Sequence, residues 1–193
     1  MSKYAVIDLE MCRVPWEVDE EVYPYGNEII QVGAVLLDEK FEETGTFCSL
    51  VAPRFGKVDD FITRLTGITQ RALQNARDLR EVLTDFVKWL PEEVVFVAWS
   101  DSDERQLRSE IDAKGLEEPI FDIFFEEWED CQQAFSKKLD TQRVYKLSEA
   151  LCMADIYYDD GAHDALVDAK NTAKLFKKIK TEEKLKLSPY LFR

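Results

Sequence analysis

The chain opens on a nearly unbroken apolar run. Residues Lys3 to Glu10 read KYAVIDLE, with the acids gathered at the far end. A strand covered on both faces has this pattern, so a central strand is predicted here. Glu28–Leu37 (EIIQVGAVLL) is predicted as a second strand and Glu42–Val51 (EETGTFCSLV) as a third. Little but Asp38–Phe41 lies between these two, which predicts an antiparallel hairpin. After Pro53 the period becomes helical. Asp59–Leu65 and Thr69–Leu73 are predicted as short helices around the turn Thr66-Gly67-Ile68. Apolar residues at 79, 82, 83, 86, 87 and 90 make the stripe of an amphipathic helix over Leu79–Leu90. Val94–Trp99 is predicted as a fourth strand, Ser102–Lys114 as a helix stopped by Gly115, and Ile120–Phe125 as a fifth strand. Trp128–Lys138, Lys146–Met153 and Ala165–Lys180 complete the chain as helices. Three early strands followed by strand–helix alternation predict an α/β fold, a mixed five-stranded sheet flanked by helices.

Length adds little constraint: 193 residues fit one domain over 1–193, with a core of about 3–180 and a basic tail at 181–193. Charge changes the picture more. The net charge is −14, the wrong sign for broad gripping of phosphates. Between Lys170 and Arg193, however, eight Lys/Arg face two Asp/Glu, so the segment carries +6 and the rest −20. Cys12, Cys48, Cys131 and Cys152 are widely spaced, and His163 is the one histidine of the chain, which argues against a Cys/His zinc site. No signal region or membrane-length apolar stretch is visible, so no membrane partner and a cytoplasmic location are expected.

Three places put acids where a fold would rather not have them. In Asp8-Leu9-Glu10, residues i and i+2 of a strand point to one face, at the C-terminal end of the central strand. Paired carboxylates there either attract a cation or have simply reached solvent. In AWSDSDERQL, Asp101 and Asp103 follow a strand directly. Asp and Ser residues here are also ordinary N-caps for the next helix, and one aspartate could serve a site while the other caps. In DDGAHDALVDAKNTAKLF, His163 lies five residues before Asp168. Two helical residues at that spacing do not share a face, so they converge only if His163 sits on a loop or cap. Gly161 would permit such a loop; the alternative is a solvated loop histidine.

Taken together, these motifs resemble the DEDDh exonucleases: D-x-E in the first strand, an aspartate after a late strand, and H-x-x-x-x-D opening the last long helix. The likeness spans about Lys3 to Lys180. AWSDSD, Leu65-Thr66-Gly67-Ile68-Thr69 and Asp168-Ala169-Lys170-Asn171-Thr172-Ala173 look like the Eri-1/KapD branch, which trims RNA 3′ ends. The tyrosine form of the family is set aside, because neither Tyr157 nor Tyr158 stands four residues before a usable aspartate.

The resemblance implies an RNase H-like fold and a 3′→5′ exonuclease acting on single-stranded RNA or DNA 3′ ends with two Mg²⁺ (or Mn²⁺). Asp8, Glu10 and Asp168 would hold one ion, Asp8 and Asp103 a second, and His163 would be the general base. Such ions take carboxylate oxygens and sit about 3.5–4 Å apart in two-metal sites. Leu9, Met11, Thr66, Ile68, Trp99 and Arg105 are candidate substrate contacts. Arg108 and the Lys170–Lys186 cluster are candidate phosphate contacts, although a solvated helix face explains the lysines equally well. The segment Arg13–Asn27 is a candidate lid. Two other functions stand beside this one: an enzyme for very short oligonucleotides, favoured by the acidic body, and a binding protein that has lost catalysis. Oligomeric state is left open.

Overall fold

The computed structural model describes residues 3–158 and 163–188. Five strands form one sheet in the order β3-β2-β1-β4-β5. They are β1 (Lys3–Arg13), β2 (Asn27–Leu37), β3 (Glu43–Leu50), β4 (Val94–Ala98) and β5 (Trp128–Asp130). β2 runs antiparallel to both β1 and β3, while β4 lies parallel to β1 and to β5. The sheet is therefore mixed, as the early hairpin and later alternation predict.

Side-chain alternation along β1 divides the core. Ala5, Ile7 and Leu9 face one layer, with Leu79, Val82, Leu83 and Phe86 of α3 (Leu79–Trp89) and Leu107 and Ile111 of α4 (Asp101–Ala113). Val6 faces the other layer. There it meets Phe135 of α5 (Cys131–Lys138), Leu151 of α6 (Leu147–Met153), and Ala169, Ala173 and Phe176 of α7 (Ala165–Thr181). Asp8 and Glu10 continue the Val6 side, so the pleat alone aims both acids at α7.

Two short helices, α1 (Asp60–Thr66) and α2 (Gln70–Leu73), flank the Gly67 turn. Gly67 ends α1 at φ 74, a left-handed cap that glycine adopts without strain. A buried charged group ties α4 to the sheet. Glu28 of β2 accepts the backbone N–H groups of Arg54, Phe55 and Gly56, and Lys114 bridges Glu28 and Glu110 at 2.6 and 2.7 Å.

The predicted fifth strand is misplaced. Pro119–Phe125 is a 3₁₀ helix, and β5 comes three residues later, at the start of the segment predicted to be helical. Pro119 opens the 3₁₀ helix, and Phe121 and Phe124, three apart, bury together while Ile120 and Phe125 are exposed. That period belongs to a three-residue turn and mimics an apolar strand in a short window. Asp130 then ends β5 and caps α5 by accepting the Gln133 N–H at 2.8 Å.

Candidate active site

The first two acids are placed by β1. Asp8 pairs across the sheet with Gly33 of β2, and the register slips between Glu10 and Met11, a bulge at the site itself. Gly33 is what lets the last helix approach. A Cβ at that position would stand 2.2 Å from the carbonyl carbon of Ala165, so the first turn of α7 lies directly on the β2 backbone beside Asp8. Gln31, two residues earlier, holds it there: its Oε1 accepts the Ala165 N–H at 3.0 Å. Asp164 caps α7 by accepting the Leu166 and Val167 N–H groups. Asp168 then falls in the first turn, 9% exposed and facing β1.

His163 precedes the cap, off the helix, in a left-handed conformation at φ 66. Its backbone N–H donates to Asp168 Oδ2 at 2.9 Å, which closes the five-residue spacing into one cluster. Gly161 lies outside the described residues. One ligand atom each from Glu10, His163 and Asp168 fall within 4.8 Å of one another. Asp103 arrives from α4, buried, with Oδ1 accepting the Leu9 N–H at 3.1 Å. Neither aspartate of AWSDSD is the cap. Ser100 takes that role, and Asp101 turns outward to pair with Arg105 at 2.8 Å.

The electrostatics follow from this crowding. Burial pushes the Glu10 carboxyl up to about 8, and the neighbouring charges of Asp168, Asp103 and Asp164 push the same way. Burial raises Asp8 well above the carboxylate range, with Asp103, Asp168 and Glu10 adding repulsion. Asp103 is raised to about 6 by burial, held there against the Leu9 N–H bond that favours its charged form. Such a group is costly without a cation and suited to one, and its oxygen-rich donors match a hard divalent ion.

The remaining sequence candidates are dispersed. Trp99 is nearly buried but borders a cavity of about 840 Å³ together with Tyr158, His163 and Asp168. Leu9 is buried, and Met11 packs partly buried against the same apolar layer. Ile68 joins a small core with Cys12 and Ile30, and its N–H donates to Thr66 Oγ1 at 3.0 Å. Arg108 pairs with Glu104 at 2.8 Å and donates to the Phe124 carbonyl. On α7, Lys177 meets Glu42, Lys180 meets Glu129, and Lys178 donates to the Ala154 carbonyl. In the segment Arg13–Asn27, buried Tyr23 donates its hydroxyl to the Asn27 carbonyl, while Trp16 is 90% exposed.

Three residues at the site went unread in the sequence. Tyr158 donates its hydroxyl to Asp168 Oδ1 at 2.8 Å, so both oxygens of Asp168 accept bonds from the segment around His163. It reaches Asp168 across ten residues of chain, a distance no short motif reports. Gln31 hides inside an apolar strand pattern, where a lone buried amide was the available clue. Asp164 was open to reading as a cap beside the helix start.

The family model described as Exonuclease (RNase T) matches residues 5–176. The chain is 29% identical over 91% of its length to a PolC-type DNA polymerase III of Thermotoga petrophila, of which it covers 12%. It is 26% identical over 93% of its length to the 3′-5′ exonuclease Snipper of Drosophila melanogaster, covering 70% of that protein. ERI1 exoribonuclease 2 of Danio rerio is 32% identical over 81% of the chain, which spans 32% of it. The solved nuclease domain of 3′hExo, a DEDDh family member bound to rAMP, superposes with a TM-score of 0.79 at 24% identity, covering 97% of this chain and 96% of that one. That likeness gives the fold.

Proposed function

The chain belongs to the exonuclease family, and on that footing we propose that it is of the DEDDh form and removes nucleotides one at a time from the 3′ ends of single-stranded RNA or DNA. The observation that carries this reading is the convergence of Glu10, His163 and Asp168 within 4.8 Å, beside Asp8 and Asp103. Asp8, Glu10 and Asp168 would hold one divalent cation, Mg²⁺ or Mn²⁺, and Asp8 with Asp103 a second. Bound there, the ions would neutralise the carboxylates and act as Lewis acids on the scissile phosphodiester.

The other steps belong to the chain's own residues. His163 stands exposed at the rim of the cavity, and its imidazole takes the proton from the attacking water. Asp168 holds the backbone of His163 in place through its N–H, so the base is oriented by a carboxylate of the same cluster. The 3′-terminal nucleotide would lie against Met11, Ile68 and Thr66 on one side and Trp99 on the other, with Leu9 contributing backbone. Attack on the phosphorus releases a nucleoside 5′-monophosphate and leaves a new 3′-hydroxyl.

The names of two relatives, a 3′-5′ exonuclease and an exoribonuclease, support direction and substrate class. The charge of −14 favours a second reading, an enzyme for very short oligonucleotides, which needs few phosphate contacts. Chromatography of the products from matched RNA and DNA strands tests the first reading: 5′-monophosphates are expected, and products carrying a 3′-phosphate would rule it out. Comparing rates on a dinucleotide and on a strand of about 20 nucleotides separates the two readings.

A further inference from the structure

The cavity that holds His163 and Asp168 does not end at the cluster. It runs past Trp99 and Tyr158 to Gln132, Val144, Lys146 and Ser148. A second depression, of about 580 Å³, begins on the same Gln132 and Val144 and continues to Gln133, Lys137 and Arg143. The two form one trough between α5 and the start of α6, leading away from the reacting centre.

Its charge is opposite to that of the chain as a whole. The stretch from Gln132 to Lys146 holds Lys137, Lys138, Arg143 and Lys146 against Asp140 alone, in a chain of net charge −14. Lys138 is used by the fold, donating to the carbonyls of Glu182 and Glu183. Lys137, Arg143 and Lys146 remain exposed along the trough. Arg143 lies over the Tyr145 ring at 4.8 Å and pairs with the partly exposed Glu149, two contacts that hold its guanidinium at the edge. Apolar surface stands beside these charges: Val144, shared by both depressions, is 72% exposed.

The walls are set before any ligand arrives. Gln132 Nε2 donates to the Tyr145 carbonyl at 2.6 Å, and Ser136 Oγ to the Arg143 carbonyl at 2.7 Å, so the 139–146 loop is bonded to α5 at two points. A preformed channel with cationic groups and exposed apolar faces matches a single nucleic-acid strand, whose backbone needs charge and whose bases need surface.

We propose that this trough carries the single strand on the 5′ side of the scissile bond, with Lys137, Arg143 and Lys146 meeting its phosphates and Val144 its bases. The proposal rests on the exonuclease reading and assigns how that site grips a strand longer than its last nucleotides.

The test uses fluorescein-labelled oligo-dT and oligo-rU of about 3 and about 12 nucleotides, spanning the lengths over which single-strand sites fill. Binding is followed by anisotropy with Ca²⁺ in place of Mg²⁺, in the full chain and in the Lys137→Ala/Arg143→Ala/Lys146→Ala variant. The full chain should bind the longer strand more tightly. The variant should lose most of that advantage, about 10–100-fold, and its salt slope should fall by about 2, as three lost single-strand contacts require. Exchanging Lys for Arg and Arg for Lys at the three positions should restore the slope, which a merely structural role would not predict. Equal affinity and slope in the alanine variant, while the full chain still degrades strands, would overturn the trough and leave the exonuclease reading standing. Failure of the full chain to bind or degrade any strand would remove both.

Discussion

At the scale of single residues, the account turns on why four acids and a histidine share one corner. Alternation along β1 explains Asp8 and Glu10, and the N-terminal position of Asp168 on α7 explains the third acid. These were legible because strand period and helix start are local rules. Tyr158 was not, because its bond to Asp168 depends on the path of a loop. The N-cap of α4 stayed open in the sequence for a related reason: Ser100, Asp101 and Asp103 are all good caps, and only packing against Leu9 decides which turns inward. His163 lies at the cavity rim and bonds Asp168 through its backbone, so its imidazole can be removed without unmaking the carboxylate cluster. His163→Ala should therefore slow single-turnover hydrolysis by about 10²–10⁴-fold. Its Mn²⁺ affinity, read by calorimetry, should stay close to that of the parent chain; an unchanged rate would take the histidine out of the mechanism.

At the scale of elements, the site is a meeting of β1, α4 and α7, and two contacts set that meeting. Gly33 lets α7 touch β2, and a methyl there would collide with the Ala165 backbone. Gly33→Ala should cost about 1–3 kcal/mol in denaturant unfolding. It should also lower activity in the fraction that remains folded, since Asp168 rides on the displaced turn; full stability would mean that the helix does not lie on that backbone. Lys114 is the counterpart on α4, the cation between buried Glu28 and Glu110. Lys114→Met leaves two buried carboxylates facing each other, and a loss of about 3–5 kcal/mol is expected in the same measurement. The sequence showed α3 and the β2–β3 hairpin clearly, because their patterns are long. It missed β5, whose three residues are fewer than any period can reveal, and it took the 3₁₀ segment with its Phe121 and Phe124 for a strand.

At the scale of the whole molecule, the carboxylate cluster couples folding to pH and to metal. Folded Glu10 titrates near 8 against an ordinary 4.5, and Asp103 near 6 against 3.8. A carboxylate raised on folding binds protons better in the native state, so its contribution is present at low pH and lost as pH climbs through the ordinary and then the folded value. In EDTA, the melting temperature should therefore drop between about pH 5 and pH 8, and Mn²⁺ at the upper end should restore it. A flat profile in EDTA would mean that the acids are not crowded in solution. Function at this scale reduces to one claim, that the cluster cuts strands from their 3′ ends with divalent metal. A time course on 5′-end-labelled single-stranded RNA and DNA, with Mg²⁺, Mn²⁺ or EDTA, beside Asp8→Ala, tests it most directly. The account predicts a ladder that shortens from the 3′ end, needs metal and vanishes in the variant; cleavage that persists in EDTA or in Asp8→Ala would contradict it.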